Sequence, residues 1–263
     1  MRTSLRTALT LLVVAACGPV PLEPRDPDPG APHFVVQTYN ILDTGGPAPA
    51  TLEAVGAGNA DVICLQEVTP DWEQALRTRY EDAYPHMLFH PLDGSEGLGF
   101  LSRFPLTDLG IHEEIHGWHP AWHARVDLAM GPVQILNVHL RSMFTGRTNA
   151  VAAYFSTDSD HLQEIQAHSA YSEAHYPTLV VGDFNEEPDG SAIEYLEGLG
   201  FRNALPLFHP GQPTWRDTAS WQMEQTIDHI LFDGAFTPLN SWVENLGSSD
   251  HLPVLAHFQP ARF

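Results

Sequence analysis

In the stretch LVVGDFNEEPDG (residues 179–190), an apolar run stops at Gly182 and is followed by a carboxylate and an amide, Asp183 and Asn185, two residues apart. Gly, Asp, Asn and Pro dominate turns, so a turn alone would account for the composition. The spacing also suits a catalytic edge, with two polar groups facing the same way at the mouth of a sheet. The same juxtaposition recurs along the chain. Asn40 follows HFVVQTY, and Gln66 and Glu67 close DVICLQE. Asn137 and His139 in LNVHL lie two apart, hence on one face of a strand. Asp228 sits inside TIDHIL, and Asp250 and His251 precede LPV. Asp228 is the most telling, because a carboxylate among apolar neighbours costs on the order of several kcal/mol unless it is paired or metal-bound. Any one of these is a turn residue; recurrence at six strand ends points to a shared site.

The elements that must carry these residues are short. Strands are expected at 33–39, 62–66, 98–102, 123–130, 133–140, 178–182, 227–232 and 253–258, and helices at 51–58, 70–83, 159–175 and 190–198. Strands outnumber helices, and the neighbours 123–130 and 133–140 read as a hairpin. With no internal repeat, the economical architecture for residues 33–263 is one α+β domain with sheet packed on sheet.

In order, TYN, LQEV, NVHL, GDFN, TIDHI and SDHLPV resemble the motif series of the endonuclease/exonuclease/phosphatase superfamily, typified by pancreatic deoxyribonuclease. The series runs from Asn40 to His251. The resemblance implies a four-layered α/β sandwich, two packed mixed β-sheets flanked by helices, with the active site at one edge. It implies hydrolysis of phosphodiester or phosphomonoester bonds, which needs neutralised phosphoryl oxygens, an oriented water and a stabilised leaving oxygen. Glu67 would be a hard oxygen ligand for Mg²⁺ (or Mn²⁺/Ca²⁺), Asn40 would complete that shell, and Asp250 would be a second metal-site carboxylate. Asp183 would orient and deprotonate water, with Asn185 holding water or phosphate. His251 would donate to phosphate with Asp228 on its other nitrogen, and His139 would be a second phosphate contact or general acid. Asn137 is read as holding a neighbouring motif in place, and Ser102 and Trp215 as lying near the site. Arg141 and Arg147, in RSMFTGR, form a small phosphate-contacting patch.

Superfamily members acting on abasic DNA carry a Tyr-containing motif where this chain has NVHL. The His variant is shared by deoxyribonucleases, sphingomyelinases and several phosphatases, so the substrate branch stays open. A non-catalytic binding protein retaining the fold is the alternative, but such members lose metal or base carboxylates, and Glu67, Asp183, Asp228 and Asp250 all stand here. A second cluster, His112, His116, His119 and His123, is interrupted by Pro120 and does not match a zinc helix. It reads as an aromatic-rich rim beside the substrate.

Charge and the N-terminus bear on partners. The 263 residues carry 12 basic side chains, all Arg, against 33 acidic ones, a formal net charge of −21. Such a chain repels polyanions at long range, so nucleic acid is expected only as substrate. Residues 1–16 combine Arg2 and Arg6 with a short apolar run too short for a membrane span, an export signal. VAAC (Val14–Cys17) resembles the lipobox of bacterial lipoproteins, implying acylation of Cys17 and anchoring of a monomer to the cell envelope. Residues 17–32, with six prolines after Cys17, read as a semi-extended tether. The other cysteine, Cys64, reads as a core residue.

Overall fold

The computed structural model describes residues 20–113, 119–142, 150–217 and 223–262. In chain order the elements are β1 (Phe34–Asn40), α1 (Pro49–Ala57), β2 (Val62–Gln66), α2 (Pro70–Tyr80), β3 (His86–His90), β4 (Leu98–Ser102), β5 (Leu106–His112), β6 (Ala121–Leu128), β7 (Gly131–His139) and α3 (Ala150–Ser169). They continue with β8 (Thr178–Asp183), α4 (Ser191–Gly198), β9 (Arg202–Asn203), α5 (Ala204–Phe208), β10 (Trp215–Arg216), β11 (Glu224–Gln225), β12 (Asp228–Phe232), β13 (Phe236–Val243) and β14 (Val254–Pro260).

One six-stranded sheet has the order β13-β14-β1-β2-β4-β3 and the other β5-β6-β7-β8-β12-β9. Both are mixed: β1–β2 and β7–β8 are parallel, and their other neighbours are antiparallel. The two-residue period of a strand sorts the side chains into three apolar layers. Phe34, Val36, Val62, Cys64, Val133, Ile135, Leu179, Val181, Ile230 and Phe232 fill the space between the sheets. Their alternates Ile63, Leu65 and Leu255 face outwards under α1 and α2, against Val55, Trp72 and Leu76. Leu136, Val138, Val180 and Leu231 face outwards on the second sheet, against Ile165 of α3 and Ile193 and Leu196 of α4. The fold is therefore the expected four-layered sandwich. α2 starts where Thr69 accepts a hydrogen bond from Trp72 N at 3.4 Å and Pro70 takes the first helical position.

Continuing the inward parity to the strand ends gives Asn40 on β1, Gln66 on β2, Asn137 and His139 on β7, Asp183 on β8 and Asp228 on β12. The parallel pairs β1–β2 and β7–β8 end level, Asn40 opposite Gln66 and His139 opposite Asp183, and β12 starts there, with Asp228 opposite Asp183. Gly182 lets β7 and β8 approach: at φ 147° it leaves no room for a Cβ, which would lie 1.9 Å from the Val138 carbonyl oxygen.

Three long strands, β3, β5 and β13, were not expected from the sequence. α3 forms earlier than its expected span of 159–175. From residue 20 onward the Pro-rich segment has no helix or strand, yet it is docked. Leu22 N donates to Leu207 O (2.7 Å), Arg25 N to Leu239 O (3.0 Å) and Asp28 N to Gln259 Oε1 (2.9 Å). Prolines preset an extended backbone, and these three amides find carbonyl oxygens on the domain. The signal segment, Cys17 and Arg147 lie outside the described residues, as does His116.

Candidate active site

Beneath the site the two sheets are tied by amides. Gln66 Nε2 donates to Asn137 Oδ1 at 2.7 Å and to Thr38 Oγ1 at 3.1 Å. Asn137 Nδ2 donates back to Leu65 O (3.0 Å) and Gly99 O (3.3 Å). Asn137 is thus a clamp between layers, as its sequence context implied. Gln66 and Asn137 are fully buried, and each finds partners, as a buried amide requires.

Above this clamp the charged groups meet. Asn40 Nδ2 lies between two carboxylates, 2.9 Å from Glu67 Oε1 and 3.1 Å from Asp183 Oδ2. Glu67 Oε2 accepts from Asp43 N at 2.8 Å. Asp183 Oδ1 accepts from Asn185 N at 2.9 Å, and Asn185 Nδ2 is committed to Leu140 O at 2.9 Å. Glu67 and Asn185 both hold left-handed backbone (φ 62° and 51°), a strained conformation that clusters at functional sites. Asp228 accepts from His251 Nδ1, 3.0 Å from either carboxylate oxygen. With Nδ1 so held, His251 turns Nε2 towards Asp183 Oδ2 at 3.5 Å, and His139 Nε2 approaches the same oxygen at 3.5 Å. Glu67, His139, Asp183, Asn185 and His251, with Leu42, Ser142, Trp215, Gln225, Ile227 and Asp250, line a cavity of about 160 Å³.

The environment sorts the protons. Burial opposes charge on His251, but the Asp228 and Asp183 carboxylates outweigh it and push its pKa up to about 10, so it is an imidazolium at neutral pH. Burial raises Asp183 to about 7 even though His251 and Asn40 pull it down. Burial, with His119 and His251 nearby, holds His139 well below the usual histidine range. His139 Nδ1 lies 3.0 Å from the Ser95 carbonyl, which only accepts, so Nδ1 carries the proton and Nε2 presents a lone pair. His139 is therefore an acceptor in the free protein and acts as a general acid only after taking up a proton.

Asp183, Asp228 and His251 each place a ligand atom within 4.8 Å of the others. A protonated imidazole between two carboxylates accounts for that grouping and does not suit a cation. The oxygen set fits a hard divalent ion better. Glu67 accepts only one hydrogen bond on each oxygen, and Asp250 directs Oδ2 to Trp215 Nε1 (2.9 Å) while its buried Oδ1 has no hydrogen-bond partner among the described residues.

Other expectations fare differently. Arg141 does not line the cavity: its buried guanidinium pairs with Asp160 on α3. Ser102 pairs with Val62, at the end of β2 away from Gln66, so it lies at the wrong end of the sandwich for the site. The histidine cluster divides. His119 packs on His139, ring centroids 4.1 Å apart, and its Nε2 lies 3.1 Å from Ser95 Oγ. His112 stacks on Tyr171 at 3.6 Å, and His123 is hydrogen-bonded to Gln134. Neither lines the cavity. Three further supports escaped the sequence reading. Thr214 Oγ1 accepts from Ile227 N and Asp228 N, Ser249 Oγ donates to Asn40 O and accepts from His251 N, and Ser95 fixes the His139 tautomer. Ser249, inside SSDH, and Thr214, inside PTW, lay in stretches with a local signal; Ser95 did not.

Two mixed sheets meeting at an edge of carboxylates, amides and one imidazolium define a class of metal-assisted hydrolase fold. A family model described as endonuclease/exonuclease/phosphatase family matches residues 38–251, and the chain belongs to that family. Among solved structures, an endonuclease/exonuclease/phosphatase from Beutenbergia cavernae superposes with a TM-score of 0.67 at 18% identity, covering 87% of this chain and 72% of the other. D. rerio TDP2 complexed with a single-strand DNA product gives 0.64 at 15% identity, covering 86% and 98%. The 3′-5′ exonuclease NExo from Neisseria meningitidis gives 0.60 at 16% identity, covering 85% and 98%. At these identities the likeness is one of fold. No curated protein matches the sequence.

Proposed function

We propose that the protein is an exported, lipid-anchored hydrolase of phosphate esters that works with Mg²⁺ or a similar divalent cation. The observation that carries this reading is the Asp183 carboxylate, facing a small cavity between a protonated His251 and a neutral His139. Glu67, Asn40 and Asp250 would hold the cation, which when bound supplies positive charge to the phosphoryl oxygens and the leaving oxygen. The chain's own residues do the rest. Asp183, tuned near neutral pH, takes a proton from the attacking water. Asn185 N fixes the Asp183 carboxylate through Oδ1 and Asn40 Nδ2 holds Oδ2, which faces the two histidines and takes that proton on its second lone pair. His251 donates from Nε2 to a phosphoryl oxygen, and Asp228 keeps it charged and oriented. His139 receives a proton at Nε2 and passes it to the leaving group.

The cavity volume of about 160 Å³ and the net charge of −21 favour a compact phosphate ester, a lipid headgroup or small molecule, over an extended backbone. Nucleic acid enters only as substrate. No helix among the described residues is long and apolar enough to cross a membrane, and the proposed anchor is Cys17 in VAAC. The test is turnover of DNA, phospholipid and soluble phosphate esters with Mg²⁺ and with chelator. Glu67→Ala is expected to abolish turnover while its melting temperature in chelator stays close to wild type. A chain that binds Mg²⁺ and hydrolyses none of the three would instead support the binding-protein alternative. Acyl labelling lost in Cys17→Ala checks the anchor.

A further inference from the structure

Behind the cavity, α3 turns Asp160, His161 and Glu164 towards two chain segments that leave the site. The first segment follows His139 and contains Leu140 and Arg141; the second follows Asp183 and contains Asn185 and Glu186. We infer that His161 is a positioning residue for hydrolysis, a crosslink that sets the spacing of these segments and so the placement of Asn185; this rests on the function proposed above.

His161 is 2% exposed. Its Nε2 lies 2.6 Å from the Arg141 carbonyl and its Nδ1 3.0 Å from Glu186 Oε2. A carbonyl accepts only, and an ionised carboxylate accepts only, so both ring nitrogens donate and the ring is an imidazolium. Both attachments are themselves fixed. Arg141 N donates to Glu164 Oε2 at 3.2 Å, and its guanidinium pairs with Asp160. Glu186 Oε1 accepts from Ile193 N at 2.9 Å in the first turn of α4, and Glu186 O accepts from His229 Nε2 at 2.9 Å. The crosslink runs parallel to the Asn185 Nδ2 bond to Leu140 O, one residue nearer the cavity. β7 and β8 are locked by their ladder as far as His139 and Asp183, and Leu140 N continues it to Asp183 O at 2.8 Å. Beyond that point His161 spans the two segments, and Asn185 sits between this brace and Asp183 in a strained left-handed conformation.

The charged and titratable groups around His161 are Glu186, Glu187 and Asp189 from the segment after β8, Arg141 from the β7 segment, Asp158, Asp160 and Glu164 on its own helix, and His229 from β12. Burial disfavours the charge on His161, while the Glu186 contact favours it and raises the pKa above its ordinary value.

The test is a kinetic cycle on the full chain with Mg²⁺ and bis(4-nitrophenyl) phosphate. His161→Gln keeps a donor but cannot reach both acceptors. It is expected to lower kcat about 10- to 100-fold, with KM within about threefold, because small misplacement of a reacting constellation is costly in rate. In an Asn185→Ala background the same change is expected to cost less than about threefold, since the Asn185 side-chain tie to Leu140 O, through which the brace acts, is already gone. Independently of turnover, ¹⁵N NMR of His161 should show both ring nitrogens protonated at pH 7. A wild-type chain that turns over while His161→Gln matches it, or equal losses in both backgrounds, would overturn the inference. A wild type without turnover would sink the function itself, whereas a ring with one protonated nitrogen would reject the brace alone.

Discussion

The two ends of the inter-sheet layer are built from the same strands and could hardly differ more. β1 enters at Phe34 and leaves at Asn40, β12 runs from Asp228 to Phe232, and β14 runs from Val254 beside the site to Phe258 at the far end. At the closed end Phe34, Phe232, Phe236 and Phe258 pack with ring centroids 5.0 to 5.8 Å apart. At the open end, a strand length of roughly 20 Å away, the same inward parity carries carboxylates, imidazoles and amides. Glu67 and Asn185 hold strained backbone there, and Asp183 and Asp228 lie 1% and 0% exposed. Burial of aromatic surface is strongly stabilising, whereas buried charge is not. One end sustains the fold, and the other uses that stability to hold charges where chemistry needs them.

The largest effect should separate the ends. Asp183→Asn is expected to lower kcat about 10²- to 10⁴-fold while leaving the protein at least as stable at pH 8. The sign follows from linkage: a carboxyl raised to about 7 binds its proton more tightly in the fold, so its contribution to stability falls as pH rises from the ordinary carboxylate range through about 7. Phe258→Ala is the mirror experiment. It should cost about 3–5 kcal/mol in denaturant unfolding, with kcat per folded molecule close to wild type. Loss of stability in the first or of kcat in the second would erase the contrast.

Next comes the seam between the ends. Gln66 and Asn137 bridge the sheets at 2.7 Å where apolar packing gives way to the site. Gln66→Leu or Asn137→Leu strands a buried partner and should cost about 1–3 kcal/mol, whereas the double replacement should cost less than the sum. Measured by a double-mutant cycle, recovered stability without recovered kcat would assign the clamp to alignment of the two sheets. A purely additive cycle would deny the coupling.

A smaller, graded effect is expected from pH. The base works deprotonated and His251 works protonated, so kcat/KM should rise through about 7 and fall through about 10. Asp228→Asn removes the carboxylate that holds His251 charged, so it should move the upper limb down. An unmoved limb would separate His251 from the profile.

How far the sequence revealed this design follows from the same contrast. The central strands announced themselves because both of their faces are buried: β2 and β4 match their expected spans of 62–66 and 98–102. β3 and β13 are the edges of one sheet and β5 an edge of the other. With one side open and mixed faces, β3 and β5 carry weak apolar patterns, and Pro238 with a register shift interrupts β13. The site residues were legible because polar groups interrupt apolar runs at Asn40, Asp183 and Asp228. The positioning groups were not. The carbonyl of Ser95 and the ring of His161 act through contacts 44 and 20 residues distant in sequence, and neither interrupts a pattern. Arg141 misled for a related reason: a cation beside a motif reads as a phosphate contact until its buried partner Asp160 is seen.

The smallest effect on catalysis concerns the closed end's outer cover. The segment around Leu22, Arg25 and Asp28 runs past α5, β13 and the end of β14, where Gln259 lies just beyond Phe258. Its hydrogen bonds sit at the Phe34 end, so they add to stability without reaching the site. A chain beginning at residue 30 loses three backbone donors and the Arg262–Asp28 pair compared with one beginning at residue 20. The bond from Gln259 Nε2 to Asp28 Oδ2 (2.6 Å) goes with them, so at about 0.5–1.5 kcal/mol for each of four hydrogen bonds, and little for an exposed ion pair, the loss should be about 2–6 kcal/mol. Equal melting temperatures would return the segment to a free tether and leave the aromatic end to stand alone. A lowered melting temperature with unchanged kcat would extend the closed end to residue 20. On an anchored chain, that would draw the domain close to the membrane, since only Gly18 and Pro19 would separate Cys17 from residue 20.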